Sequence, residues 1–195
     1  MTDIKASTGP AYARIYSVGS ATPSRVIDNE YLLQFIDSSD EWITQRTGIK
    51  ERRWIGEGEN IETLSLEAAT KAIERAGIEP AEIGAVILST ISHYHQTPAL
   101  APKLAAELGI GDAAAYDISA ACAGFCYGLA QAESIVRAGQ AKYVLLVAGE
   151  TISEITDLHD RGTAFLFGDG AGAVVVGPSE TNGIGPVVWG SDGGQ

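Results

Sequence analysis

A chain of 195 residues, 45% of them hydrophobic, is long enough to fill one substantial core. Its formal charge of −12 argues against nucleic acid and against an anionic membrane, both of which attract basic surfaces. No apolar run approaches the ~18 residues of a membrane span, residues 1–10 hold no apolar signal region, and two cysteines cannot build a disulfide scaffold. The expectation is a reduced, cytoplasmic protein.

In chain order, residues 14–20 read as a strand ended by Gly19, and Pro23-Ser24-Arg25 as a turn. Asn29 is the candidate cap of a short helix over residues 30–36. Ser39, followed by Asp40 and Glu41, is the expected N-cap of a second helix that stops at Gly48. Residues 62–76 then carry a helical stripe. Leu64, Ala68, Ala69, Ala72, Ile73 and Ala76 share one face, Glu67 and Lys71 pair on the other, and Gly77 closes the helix. Residues 85–90 run apolar without alternation, the mark of a strand buried on both faces. A loop at 91–96 leads to a helix opened by Pro98 and closed by Gly109.

Residues 113–116 read as the end of a buried strand and 125–138 as a helix, with Cys122 at the turn between them. A helix N-terminus presents unpaired N–H groups that favour an anion, and the thiolate is the reactive form of cysteine. Cys122 is therefore a candidate nucleophile. The same position also suits a buried structural cysteine, and the local residues leave both readings open. Cys126 falls on the same helix face and does not make a C-x-x-C pair. Residues 143–149 read as another fully buried strand. After a polar segment and a glycine bend at 168–172, residues 173–176 and 184–189 read as two more strands. Strands alternating with helices argue an α/β layered fold around a mostly parallel, mixed sheet.

Several motifs invite chemistry. The bend Gly168-Asp169-Gly170-Ala171-Gly172 leads into a strand and lacks the Lys-Ser/Thr of a phosphate loop, so tight backbone packing near a site is expected. His93, His95 and His159 have no further ligands at matching spacing, and no metal is expected. Ala120-x-Cys122-x-Gly124 resembles a nucleophile elbow, but Asp157 and His159 are too close together for a hydrolase's acid and histidine. Trp42 and Arg46 share a helix face, with Lys50, Arg52 and Arg53 just beyond. Such a cluster can stack a planar base and hold phosphates, or can pack on the core with solvated arginines.

Four motifs occur together and in order: Ser39-Asp40-Glu41-Trp42-Ile43 with Arg46-Thr47-Gly48-Ile49, Ala120-Ala121-Cys122-Ala123-Gly124-Phe125, Asp160-Arg161-Gly162-Thr163, and Phe167 through Gly172. From about Ala13 on, the chain resembles β-ketoacyl-acyl carrier protein synthase III, the initiating condensing enzyme of type II fatty-acid synthesis, and its wording is most similar to actinobacterial members. The resemblance implies a thiolase-like fold, α-β-α-β-α in the complete enzyme, built from two related halves. Residues 13–195 would be the N-terminal half and residues 1–12 an extension. It implies that Cys122 takes an acyl group from acyl-coenzyme A, a substrate and not a resident cofactor. Malonyl-acyl carrier protein then loses carbon dioxide and condenses with that acyl group. A homodimer is implied for the complete enzyme.

By the same resemblance Trp42 and Arg161 would clamp the adenine, Arg46 would meet the phosphates, and Thr47 and Gly162 would line the channel. Phe167 would lie beside the thiol and the pantetheine arm. Thr97 stands where members restricted to very short primers tend to carry Phe as a cap on the acyl pocket across the dimer interface, so branched or longer primers are expected. The family's histidine in Pro-His-Gln-Ala-Asn and asparagine in Gly-Asn-Thr-Ser do not occur in the chain. The expectation is a fragment, a split chain or a partial sequence, inactive alone in condensation. The alternatives are a polyketide-pathway priming synthase and a non-catalytic half that serves as an interaction subunit.

Overall fold

The computed structural model describes residues 8–194. Its centre is made by the two longest apolar runs. Strands β4 (Ile83–Ser89) and β6 (Tyr143–Glu150) are buried on both faces and pair in parallel. Strand β5 (Ala114–Ile118) adds in parallel to the free side of β4. Strands β7 (Gly170–Ser179) and β1 (Tyr12–Ala21) extend the other side in antiparallel fashion, giving the order β1-β7-β6-β4-β5. The sheet is mixed, with its parallel pairing confined to β6-β4-β5.

Strand alternation divides the core into two layers. Val86, Leu88, Leu145, Val147 and Val175 face helices α3 (Ile61–Ala76) and α4 (Leu100–Glu107). Ala85, Ile87, Val144, Leu146 and Val176 face helix α5 (Gly124–Arg137). A satellite core lies under α1 (Asn29–Leu32), α2 (Asp40–Thr47) and the two-stranded sheet of β2 (Arg25–Asp28) and β3 (Glu51–Trp54). Among the described residues no helix is long and apolar enough to cross a membrane.

The alanine stripe of α3 lets the helix lie directly on β1. Ser17 Oγ donates to the Ala72 carbonyl at 2.6 Å, and a Cβ on Gly19 would fall 2.0 Å from the Ala68 carbonyl oxygen. Lys71 and Arg75 on the same helix donate to the carbonyls of Ser20 and Val18 along β1, which covers part of an otherwise open sheet edge. Helix α3 starts with a reciprocal Asn60–Thr63 capping box and ends at Gly77 in the left-handed region, φ 65°.

Several expectations change. Strand β5 is a partly exposed edge, not a buried strand, because nothing pairs beyond it among the described residues. The helix expected at 30–36 shrinks to α1, and Asp28 caps it; Asn29 is buried and bonded elsewhere. Strands β2 and β3 were not foreseen, since both are short and charged. Residues 184–189 form no strand; Val188 and Trp189 project outward, 93% and 64% exposed. The glycines of the bend belong partly to β7, where Gly170 pairs with Glu150 and Gly172 with Ala148. Tyr12 already belongs to β1, one residue inside the expected extension, and residues 1–7 lie outside the described residues.

Replacing Gly19 by Ala drives a methyl into helix backbone that cannot rotate away. The variant is expected to lose about 1–3 kcal/mol or more in urea denaturation. Wild-type stability would show that β1 and α3 are not in backbone contact.

Candidate active site

The cysteine sits where a strand turns into a helix. Strand β5 ends at Ile118, whose carbonyl accepts from Thr90 N–H at 3.1 Å and so stays aligned with the end of β4. Residues Ala121–Ala123 make a short 3-10 turn before α5 begins at Gly124. Ala121 has φ +44°, a left-handed conformation that costs a residue with a Cβ about 1–2 kcal/mol. A Cβ on Gly124 would lie 1.9 Å from Ser89 Oγ and 3.1 Å from its Cβ, so the helix starts close against the end of β4. The turn thus presents Cys122 outward, and the thiol is exposed. Within the described residues, then, Cys122 is not buried. Cys126 is exposed as well. The N–H groups of Ala123 and Gly124 donate to the carbonyls of Ala120 and Ala121, while Cys122 N–H has no backbone partner among the described residues.

Beside this turn the carboxyl ends of β4 and β5 enclose a cleft of 290 Å³ lined by Thr90, Ile91, His93, His95, Asp117 and Ser119, among others. Clefts at the carboxyl ends of parallel strands are the usual binding sites of α/β sheets. Thr97 is exposed next to Gln96, which also lines the cleft. The His93 and His95 rings meet edge to face at 5.7 Å, and among the described residues no cluster suited to a metal occurs. A larger cavity of 590 Å³ lies by Arg14, Tyr16 and Pro178, at the opposite end of β7 from Gly170.

A second cluster forms on α2. Ser39 Oγ accepts from Trp42 N–H at 3.1 Å as the expected cap, and Gly48 at φ 74° ends the helix. Half-buried Trp42 packs edge to face on Phe165 at 5.5 Å. The Arg46 and Arg161 guanidiniums lie over the indole at 4.2 Å and 5.5 Å from its centroid. Trp42, Arg46 and Arg161 are thus brought together, on elements separate from the turn that carries Cys122. Thr47 Oγ1 donates to the Ile43 carbonyl and accepts from Ile49 N–H, so its hydroxyl is committed to the helix end. Asp160 accepts from the Thr163 hydroxyl and from Gly162 N–H, and this turn displays Arg161 and Gly162 to solvent. Those two donors, the hydroxyl first, hold the Asp160 carboxyl below its ordinary value. Phe167 is 45% exposed.

What holds this cluster is buried beneath it. Arg52, grouped by sequence with the exposed basic residues, is 7% exposed. It donates to the carbonyls of Ile27 and Phe165 and to Asn29 Oδ1, at 3.2, 3.0 and 2.7 Å. Asn29, itself 1% exposed, passes the contact on to Asp40 Oδ1 at 2.7 Å and to the Ile49 carbonyl at 2.9 Å, at opposite ends of α2. Burial lowers the Arg52 pKa, and the Asp28 charge offsets part of that. Sequence reading missed both roles because the partners lie far apart along the chain. The glycine bend does pack tightly: a Cβ on Gly168 would lie 3.1 Å from the Arg53 carbonyl oxygen. Asp169 within the bend accepts from Ile55 N–H and Ser153 N–H, both at 2.8 Å. His159 Nδ1 lies 3.3 Å from the Phe35 carbonyl oxygen, a contact with the satellite region.

This architecture is that of the thiolase-like condensing enzymes. The priming β-ketosynthase of the R1128 polyketide pathway superposes with a TM-score of 0.92 and 46% identity, over 95% of this chain and 56% of that one. The 3-oxoacyl-[acyl-carrier-protein] synthase III of Aquifex aeolicus does so with a TM-score of 0.83 and 44% identity, over 87% and 55%. The sequence profile of the 3-oxoacyl-[acyl-carrier-protein (ACP)] synthase III family matches residues 116–193, which hold the cysteine turn and the glycine bend. The β-ketoacyl-[acyl-carrier-protein] synthase III 1 of Streptomyces coelicolor is 56% identical over 193 residues, 99% of this chain and 56% of that protein. Along nearly its whole length the chain is similar to β-ketoacyl-acyl carrier protein synthase III proteins, and the family profile itself matches residues 116–193. It spans a little over half the length of the curated relatives it matches.

Two outcomes test the buried frame. Replacing Arg52 by Leu removes three hydrogen bonds from a buried cation and is expected to cost about 2–3 kcal/mol in urea unfolding; an unchanged midpoint contradicts it. The Asp160 carboxyl, whose folded value is depressed, adds stability to its turn above the ordinary carboxylate pKa. That contribution is lost only as pH falls through the lower folded value. Carboxyl carbon NMR should place its midpoint below the ordinary 3.8, and a midpoint at or above that contradicts the hydrogen bonding.

Proposed function

We propose that this chain carries the acyl-accepting site of an acyltransferase that starts fatty-acid synthesis. The observation that carries the reading is the exposed Cys122, on a strained turn at the start of α5, with no backbone partner for its own N–H among the described residues. In the first half-reaction Cys122 Sγ attacks the thioester carbonyl of acyl-coenzyme A. The carbonyl oxygen becomes an oxyanion within reach of the Cys122 N–H, a donor already oriented by the turn. The carbon–sulfur bond to coenzyme A then breaks. The pair of electrons leaves with its sulfur, which takes up a proton in place of the one the Cys122 thiol gave up, and the acyl group stays on Cys122 as a new thioester.

Coenzyme A would lie along the α2 cluster. An adenine sandwiched between Trp42 and Arg161 needs two stacking distances of about 3.5 Å. The observed 5.5 Å is shorter than that sum, so Arg161 swings outward as the base enters; its side chain is exposed and free to do so. Arg46 meets phosphate, Gly162 and Thr47 line the channel, and Phe167 offers an apolar flank to the pantetheine arm. No resident cofactor is part of this scheme. The second half-reaction joins the acyl group to malonyl-acyl carrier protein with loss of carbon dioxide. The residues assigned to that step in the family, a histidine and an asparagine, lie in motifs absent from this sequence. Condensation by this chain alone is therefore not expected, and a homodimer is the expected assembly of the complete enzyme. Small Thr97 in place of a bulky cap favours branched or longer primers. The closeness of the R1128 priming ketosynthase supports a polyketide-pathway primer as the second reading.

Intact-mass spectrometry after incubation with isobutyryl-coenzyme A tests the proposal. The chain is measured alone and mixed with the remaining C-terminal portion of the Streptomyces coelicolor relative. A thioester on Cys122, absent in Cys122→Ser, is expected in at least one condition. No adduct in either overturns the reading. In calorimetric titration, Trp42→Ala is expected to weaken coenzyme A binding about tenfold, the loss of one stacking platform. Unchanged affinity removes Trp42 from the channel. A clear preference for acetyl- over isobutyryl-coenzyme A contradicts the role given to Thr97.

A further inference from the structure

The proposed chemistry leaves His159 without a role, yet the fold holds it at the rim of the Trp42 cluster. On one side of it in the chain, Leu158 packs into the satellite core to which Trp42 also belongs. On the other, Arg161 lies over the indole at 5.5 Å from its centroid. Two residues of backbone span at most about 7 Å, which confines His159 to the neighbourhood of Arg161. The turn that carries both is braced from inside. Asp157 Oδ1 accepts from His159 N–H at 2.9 Å, and the Asp157 carbonyl accepts from Asp160 N–H at 3.1 Å. The Asp160 carboxylate accepts from Gly162 N–H at 2.8 Å and from the Thr163 hydroxyl. The imidazole is oriented as well. It meets the Phe35 ring edge to face at 5.9 Å, and Nδ1 lies 3.3 Å from the Phe35 carbonyl oxygen. A carbonyl only accepts, so Nδ1 carries a proton and donates it. The residue is exposed, and Nε2 has no hydrogen-bond partner among the described residues.

We infer that His159 is a further coenzyme A-recognition residue, whose protonated Nε2 donates to the 3′-phosphate of the ribose. The inference deepens the proposed function and rests on its placing of the adenine between Trp42 and Arg161. In coenzyme A the 3′-phosphate hangs from the same ribose as the adenine, so it lies beside the residues that flank the base. With Nδ1 committed to Phe35, a neutral ring offers Nε2 only as an acceptor, which repels a phosphate oxygen. A protonated ring offers it as a cationic donor, and such charge-assisted bonds are the strong ones. The charged groups around the ring are Asp157, Asp160 and Arg161 on its own turn and Asp37, the one titratable residue of the 33–38 segment that carries Phe35. One oxygen of Asp157 and both of Asp160 accept from the turn's own donors. The contact with phosphate is present while the imidazole is charged and is lost as pH rises through about 5 to 8, the range in which histidines titrate.

The test is calorimetric titration with coenzyme A and with 3′-dephospho-coenzyme A. It is run on the chain alone or mixed with the same C-terminal portion, whichever binds coenzyme A. His159→Phe keeps a ring on Phe35 and removes both nitrogens; His159→Lys keeps a cation that does not titrate in this range. At about pH 6, His159→Phe is expected to bind coenzyme A about tenfold more weakly than the wild type, the effect of one charge-assisted hydrogen bond, and to bind the dephospho form equally well. At about pH 8.5, where the imidazole is neutral, wild type and His159→Phe are expected to bind coenzyme A alike. His159→Lys should prefer coenzyme A to the dephospho form at both pH values. If His159→Phe fails to fold, His159→Ala takes its place. An unchanged coenzyme A affinity at the lower pH, or an equal loss for the two ligands as a merely structural role would give, overturns this inference alone. Coenzyme A binding that is absent from the wild type, or that Trp42→Ala leaves unchanged, overturns the proposed channel and this inference with it.

Discussion

The cluster of Trp42, Arg46 and Arg161 depends on a single buried guanidinium. Arg52 holds the Ile27 and Phe165 carbonyls and the Asn29 side chain, and Asn29 reaches both ends of α2. Through these contacts β2, β3, α2 and the segment before Phe167 become one body. Trp42 and Arg161 come from segments far apart in sequence, and they face each other because their backbones share this anchor. A buried cation is costly unless its donors are used. Here three donors are used while the buried Nε–H has no partner among the described residues, which makes the arrangement both specific and vulnerable to the loss of any of its three partners.

The cysteine side depends on backbone contact instead. Helix α5 begins against the end of β4 because Gly124 has no side chain to collide with Ser89. Gly128 repeats the device one turn later, where a Cβ would meet a Leu146 methyl at 2.4 Å. The turn just before the helix holds Ala121 in the left-handed region, and Cys122 beside it is exposed. Strain of this kind, held by well-packed surroundings, is common where a side chain must be presented for chemistry. Around it the ends of β4, β5 and β6 converge, and each contributes a polar residue: Ser89 under the helix, Asp117 at α4, Glu150 at the loop.

Much of this was legible in the residues, and for identifiable reasons. The runs at 85–90 and 143–149 could only be central strands, and Ser39, Gly48 and Gly77 mark helix ends by chemistry that acts within a few residues. The cysteine turn was legible for the same reason, since strand, turn and helix are contiguous. The misses share a different cause. Asn29 looks like a cap because it precedes a helix, yet its partners, Asp40, Ile49 and Arg52, are distant in sequence. Arg52 looks like surface charge until Phe165 and Ile27 enclose it. The apolar residues at 184–189 carry a strand-like pattern, but no strand among the described residues pairs with them. Position along the chain reveals local chemistry, while tertiary partners decide which polar residue is anchor and which is site.

The α2 cluster and the Cys122 turn are proposed to serve one acyl-coenzyme A molecule. A crystal structure of the protein with coenzyme A bound tests this most directly. The account predicts the adenine between Trp42 and an outwardly moved Arg161, with the pantetheine thiol directed to Cys122 Sγ. Coenzyme A bound with its adenine away from Trp42, or with its thiol directed elsewhere, would contradict it.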